Sequence, residues 1–347
     1  MSTPPQATLV ATGYMPLDIV LPFNEGGPPT FFAGGTCGNV SSILKYLGGW
    51  DTIPIGCLEK DAVGLAVAQD LQHWKVDTRF LHMHPRKPAT IVCQRNERVE
   101  DSNIPVHRFA PRCPVCETRS PSFCAISEEA AEELMKDLPS PDIFFFDRVS
   151  KSIIKLARWA LSKGALLFFE PFRVKSELQD EFYEALQLTH ILKHSIEQRE
   201  QLAPFLKGKR NTLLEIETLG EDGLQYRYQP SAGDAQNGRH LPALPVPHIA
   251  DAVGSGDWCS ATLIHRLGKE TLQTLQTISQ EALETAIASG QAAAAWNCQF
   301  IGARGSMSYA SYQTCVERLQ KPQVSLTELM QRLCKTCRDN KSNTEAL

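Results

Sequence analysis

The run "HIADAVGSGDWCSATLIHRLG" (248–268) sets Gly254, Ser255 and Gly256, then Asp257, at the mouth of an amphipathic segment. A helix begins with backbone N–H groups that lack an intrahelical acceptor and with the positive end of its dipole, and both favour an anion. Asp257 there is either a plain N-terminal cap or a carboxylate base standing beside a phosphate cradle. A second small-residue turn, "AGGTCGNVS" (33–41), brings Gly34 and Gly35, where a ligand can approach the backbone closely, and Asn39, which carries both a donor and an acceptor. A tight turn with Asn39 near a helix start accounts for it equally simply. In "ETLGEDGLQYRY" (217–228), Thr218, Gly220 and Gly223 lie between two strand-like runs, which alone reads as a hairpin with a positive φ at Gly223.

Short apolar or β-branched runs alternate with helical patterns, which predicts an α/β fold on a mostly parallel sheet. "ATLVATG", "TIPIG", "DIFFFD", "ALLFFEP" and "NTLLEIETLG" read as strands. Helical spacing marks 36–49, 61–74 and 150–164, the last as a crossover between two buried strands. Two stretches, 14–33 and 78–110, hold strand-like pieces such as "TRFLHM" and "ATIVCQRN" without intervening helices, and are expected to pair as a small sheet outside the main one. Residues 104–125, rich in Pro and Cys, read as an irregular insertion, and 230–247 as a surface loop. One domain over 1–338 and a polar, disordered tail over 339–347 complete the expected organisation.

A formal net charge of −4, without a Lys/Arg block, gives no electrostatic footprint for nucleic acid. No run approaches the ~20 apolar residues of a membrane span, and the first residues lack the pattern of an export signal, so the expected location is the cytoplasm. Eleven cysteines in such a chain point to thiols or metal ligands before disulfides. Cys113-Pro-Val-Cys116 and Cys334-Lys-Thr-Cys337 each have the spacing of half a tetrahedral zinc site, and together they would complete a Cys₄ shell. Accidental pairing in a cysteine-rich chain is the competing account.

The order of the motifs carries more than any one of them. Gly-Gly-x-x-x-Asn at 34–39, Thr-Leu-Gly-x-x-Gly at 218–223 and Asp-x-x-Gly-x-Gly-Asp at 251–257 resemble the PfkB, or ribokinase-like, family of carbohydrate and nucleoside kinases, over about residues 8–320. Gly56, Asp61 and Gly64 partly meet a further pattern of that family. The resemblance implies a three-layer αβα, Rossmann-like, ribokinase-like sheet with a small β-sheet lid, and homodimers formed through such lids. It implies Asp257 as the base that takes a proton from an acceptor hydroxyl attacking the γ-phosphorus of ATP, with Gly254, Ser255 and Gly256 as the anion hole. Asp18, Gly34, Gly35 and Asn39 would hold the hydroxyls of a sugar or nucleoside. Thr218, Gly220, Gly223 and Gln291 would hold the nucleotide, Glu197 would organise water around Mg²⁺, and Asp251 would border a monovalent cation.

The sequence also departs from that family. His194 stands where Asn is usual three residues before the glutamate, and Glu170-Pro171-Phe172 where Asp-Pro-Asn is common. Trp258 replaces a small residue and is expected to pack on the sheet. These departures motivate a second account, a catalytically silent binding or regulatory protein on a kinase fold, against which stands the intact turn from Gly254 to Asp257.

Overall fold

The structure, a computed structural model, describes residues 7–21, 30–84, 91–97, 106–110, 123–207, 210–230, 236–268 and 271–309. Cys113, Cys116, Cys334, Cys337 and the 339–347 tail lie outside the described residues. The strands are β1 (Ala7–Thr12), β2 (Leu17–Leu21), β3 (Thr30–Ala33), β4 (Trp50–Glu59), β5 (Leu81–His84), β6 (Ile91–Glu97), β7 (Val106–Ala110), β8 (Ile143–Phe146), β9 (Leu166–Phe169), β10 (Ile191–Ser195), β11 (Leu214–Thr218), β12 (Leu224–Tyr228) and β13 (Gln236–Leu241). The helices are α1 (Gly35–Leu47), α2 (Ala62–His73), α3 (Glu128–Asp137), α4 (Lys151–Ser162), α5 (Gln179–Leu188), α6 (Arg199–Leu202), α7 (Ser255–Leu267), α8 (Thr271–Thr277), α9 (Gln280–Asn297) and α10 (Gly305–Tyr309).

The main sheet runs β13-β12-β11-β10-β9-β8-β1-β4-β5. All neighbours from β11 to β5 are parallel, while β12 and β13 return antiparallel at one edge. Central strands read as unbroken apolar runs because both their faces are covered. In β8, Phe145 belongs to the core that α1, α7 and α9 cover, while Phe144 and Phe146 belong to the core under α3, α4 and α5. A smaller sheet, β3-β2-β6-β7, stands apart from the main one and mixes parallel and antiparallel pairs. The three-layer α/β class expected from sequence is therefore the observed one. No helix among the described residues is long and apolar enough to cross a membrane.

Two expectations need correction. Leu81–His84, which begins within "TRFLHM" and runs one residue past it, does not join the small sheet: it pairs parallel with the last four residues of β4 and forms the edge of the main one. Gln236–Leu241, expected as surface loop, is an edge strand bonded to β12 with a register irregularity near Tyr226 and Tyr228. Its sequence, QNGRHL, has no apolar alternation, so only backbone pairing makes it a strand, and side-chain periodicity cannot reveal that.

Local chemistry sets the helix starts. Ser150 Oγ accepts from the Ile153 N–H and Asp61 Oδ1 from the Gly64 N–H, so part of the Gly56/Asp61/Gly64 pattern is a helix cap. Trp258 is fully buried in the core, as expected, with its Nε1 donating to the Ala303 carbonyl at 3.1 Å. On the opposite face Phe169 stacks on Phe146 with centroids 4.5 Å apart and meets Phe182 at 5.4 Å. Phe169→Ala should cost about 3–5 kcal/mol through lost transfer energy and the cavity left behind, read as a lower urea midpoint with an unchanged slope.

Candidate active site

Residues from both ends of the chain meet at the carboxyl ends of the parallel strands. The chain enters α7 through Gly254, whose φ of +77° is left-handed, and a Cβ there would lie 2.4 Å from the Ala303 carbonyl oxygen. Only glycine fits that turn. It leaves Asp257 as the third residue of the helix, buried, where Asn39 Nδ2 of α1 donates to Asp257 Oδ2 at 2.7 Å. Burial pushes the Asp257 carboxyl up to about 7, and the Glu170 carboxylate adds to the rise against the opposing effects of Asn39 and Lys193. Asn39 Oδ1 is buried with no hydrogen-bond partner among the described residues, so a polar atom next to the carboxylate is left for a ligand to satisfy.

Asp18, on β2, is buried against the turn that begins α1. A Cβ on Gly34 would fall 1.9 Å from Asp18 Oδ2, so this glycine is required by close approach. The Gly34 N–H donates to the Pro16 carbonyl at 2.8 Å, and Gly35 opens α1 four residues before Asn39. Asp147, at the end of β8, receives the N–H groups of Tyr14 and Cys37 and an ion pair from Arg148. Asp18 thus packs on Gly34 at the entry to α1, and Asn39 of the same helix reaches Asp257. Burial keeps the Asp147 carboxyl above the ordinary carboxylate value, despite Arg148 and the two amides.

A second group lies at the ends of β10 to β12. Gly223 has a φ of +97°, and a Cβ there would meet the backbone of Leu241, Pro242 and Ala243. Gln291 of α9 donates to the carbonyls of Leu241 and Pro242, so these two residues converge on one segment. Thr218 Oγ1 donates to the His194 carbonyl at 3.5 Å, and Gly220 begins the one-turn link between β11 and β12. Glu197 is exposed just beyond β10, whereas His194 is buried and turned toward Glu215, 3.7 Å from its Nε2. Asp251 is buried, its Oδ1 accepting from the Val253 N–H and its Oδ2 from the Gly302 N–H.

Three residues of the site were not foreseen in role. Lys193 of β10 is almost wholly buried and pairs with Glu170 Oε1, while Ser260 Oγ of α7 donates to Glu170 Oε2 at 2.6 Å. A Cβ on Gly256 would lie 3.4 Å from Lys193 Nζ, which places this ammonium beside the first turn of α7. Burial alone would lower the lysine, but Glu170 holds it above its ordinary value, so it stays charged. A lysine inside the buried strand "ILKHS" was the available signal, because such a group is rarely buried without a partner. Among the described residues no group of three His, Cys, Asp or Glu side chains could hold a metal ion.

No protein-family model matches the chain, and no curated protein matches it. Solved structures do. Aminoimidazole riboside kinase from Salmonella enterica, complexed with aminoimidazole riboside and an ATP analogue, superposes with a TM-score of 0.63 at 18% identity, over 90% of this chain and 99% of that one. Fructokinase from Xylella fastidiosa with bound ATP gives 0.64 at 17%, over 91% and 99%. Ribokinase from Arabidopsis thaliana, complexed with ribose and ATP, gives 0.61 at 18%, over 92% and 99%. The fold is thus the one shared by ribokinase-family sugar and nucleoside kinases.

Asp257 has a consequence for stability. In the unfolded chain it ionises near its ordinary value of 3.8, and in the folded chain near 7, so the folded state binds the extra proton between those values and loses stability as pH rises through them. Asp257→Asn, which keeps an acceptor for Asn39, should melt at a higher temperature than the parent at pH 8, with the gain vanishing toward pH 4 in calorimetric scans.

Proposed function

We propose that the protein is an ATP-dependent small-molecule kinase, which transfers the γ-phosphoryl group to a hydroxyl of a sugar or nucleoside with Asp257 as the base. The observation that carries the proposal is the Asp257 carboxyl itself. It is buried at the start of a helix behind a left-handed glycine, held by Asn39, and shifted to about 7, where a base can accept a proton near neutral pH. Kinases of the same fold in complex with ATP or its analogue, with ribose or with aminoimidazole riboside support the class of both substrates.

In this proposal Asp18, Gly34, Gly35 and Asn39 hold the acceptor, and the open Asn39 Oδ1 takes one of its hydroxyl hydrogens. Asp257 accepts the proton of the attacking hydroxyl as its oxygen bonds to the γ-phosphorus. The bond from that phosphorus to the β,γ-bridging oxygen breaks, and ADP departs. Gly254, Ser255 and Gly256 aim the first amides of α7 at the transferring group, where a preorganised dipole is most effective. Lys193 adds a fixed positive charge close to Gly256. Thr218, Gly220, Gly223 and Gln291 line the nucleotide side.

A magnesium shell fits the donors present: the Glu197 carboxylate is exposed and can hold coordinated water, while His194 faces inward to Glu215. Mg²⁺ would supply charge neutralisation on the phosphates. A monovalent cation near Asp251 and zinc on Cys113, Cys116, Cys334 and Cys337 belong to the same proposal. Elemental analysis of the reduced protein checks the zinc, and a folded chain free of zinc removes it.

The decisive experiment is an ATP-consumption screen with Mg²⁺ against pentoses, hexoses, their phosphates and ribonucleosides. Turnover with one acceptor is expected, and Asp257→Asn should lower kcat by about 10²–10⁴-fold, the usual contribution of a positioned base, while ATP still binds. The kcat/KM of the parent should fall with each unit of pH below about 7, as Asp257 takes up its proton. ATP binding without turnover on any acceptor would favour the silent, regulatory account, for which the inward-turned His194 is the motivating observation.

A further inference from the structure

Arg304 lies at the entry to α10, far in sequence from the motifs above, and its side chain is buried. Its Nη2 donates to the Ala33 carbonyl and to Asp70 Oδ2, both at 2.6 Å. The same Asp70 oxygen accepts the Ala33 N–H at 2.9 Å. Both backbone polar groups of Ala33, the last residue of β3, are therefore gripped by one ion pair from α2 and the start of α10. The guanidinium also lies against Phe32 of the same strand, with its carbon 5.5 Å from the ring centroid.

On its other side Arg304 follows Ala303, and Ala303 backs the phosphate turn. The Ala303 carbonyl accepts from Trp258 Nε1, and its backbone closes the space where a Cβ on Gly254 would go. Gly302, one residue earlier, donates to Asp251. Ala33 leads directly into Gly34, which is packed on Asp18. One arginine thus stands between the residues assigned to the acceptor and those assigned to the phosphoryl group. Its Nε and Nη1 are buried without hydrogen-bond partners among the described residues. A strand fastened only for stability could be held by an apolar side chain without leaving such donors unmet.

We propose that Arg304 is a positioning residue that locks the end of β3 to the turn from Gly254 to Asp257, so that filling the phosphate turn also fixes the Gly34–Gly35 turn that follows β3. This rests on the assignment of that turn to phosphoryl transfer. The lock works through direct contacts: the guanidinium is planar and rigid, its partner Asp70 is on a separate helix, and Ala303 packs on Gly254 with its carbonyl held by Trp258 Nε1.

Hydrogen exchange of the full chain, with Mg-ATP as the probe, tests it, and calorimetric titration of Mg-ATP is run alongside. In the parent protein Mg-ATP should slow amide exchange several-fold in peptides covering 250–258 and also in those covering 30–36. In Arg304→Met the first protection should persist and the second should be lost, while Arg304→Lys, which keeps a donor, should restore part of it. A purely structural role would loosen 30–36 in Arg304→Met but leave the Mg-ATP-dependent difference in place, and that result overturns the proposal. So does protection of 250–258 alone in the parent. Absence of any Mg-ATP binding in the titration would instead strike the phosphate assignment itself, and this proposal with it. If Arg304→Met fails to fold, Asp70→Asn attacks the same lock from the other helix and should also diminish the transmitted protection.

Discussion

One side-chain hydrogen bond, from Asn39 to Asp257, ties the first helix to the seventh across 218 positions of sequence. The carboxylate is buried, Glu170 and Asp147 raise the cost of its charge, and the Asn39 amide together with Lys193 offsets this. Helices α1 and α7 pack on the same face of the sheet, so the bond is also held by the core beneath it. A carboxyl in that position stays poised between its two protonation states near neutrality, as a proton acceptor must.

The surrounding charges are arranged to tolerate that burial. Glu170 does not face the interior unpaired: Lys193 pairs with one of its oxygens and the Ser260 hydroxyl donates a hydrogen bond to the other. Asp147 is answered by two backbone amides and Arg148, whose guanidinium lies over the rings of Tyr14 and Phe172. Buried ionic groups of this kind contribute little net stability, since desolvation consumes most of the attraction. Their value is geometric. They fix where charge sits at the strand ends, with the Lys193–Glu170 pair standing beside the first turn of α7.

The sequence made much of this legible where a side-chain pattern carried the information. The strand at 143–146 was readable from "IFFF", and the convergence of Asn39 with Asp257 from the order of glycine-rich motifs. Gln236–Leu241 was not, because an edge strand of polar residues is defined by its partner's backbone and not by its own alternation. Leu81–His84 joins the main sheet beside β4, a partner its sequence does not specify, since four residues state that they are extended but not which strand they will meet. Lys193 and Glu170 are 23 residues apart, and Arg304 and Asp70 are 234 apart. Neither spacing has any local periodicity, so those pairs become visible only once the strands are stacked.

The chain order of the sheet has a consequence for synthesis. All seven parallel strands are complete at Thr218, yet α7 and α9, which cover one face of them, begin only after residue 254. A chain emerging from the ribosome therefore presents Phe145, Phe168, Ile191, Leu214 and Ile216 on an apolar face that α1 begins to cover but that α7 and α9 complete only later. That interval is when the chain is most prone to aggregate or to engage a chaperone. The residues that close the face, led by Trp258, are continuous with the turn that holds Asp257. Covering of that face and placement of the Asp257 carboxyl thus both wait on the same late-synthesised helix.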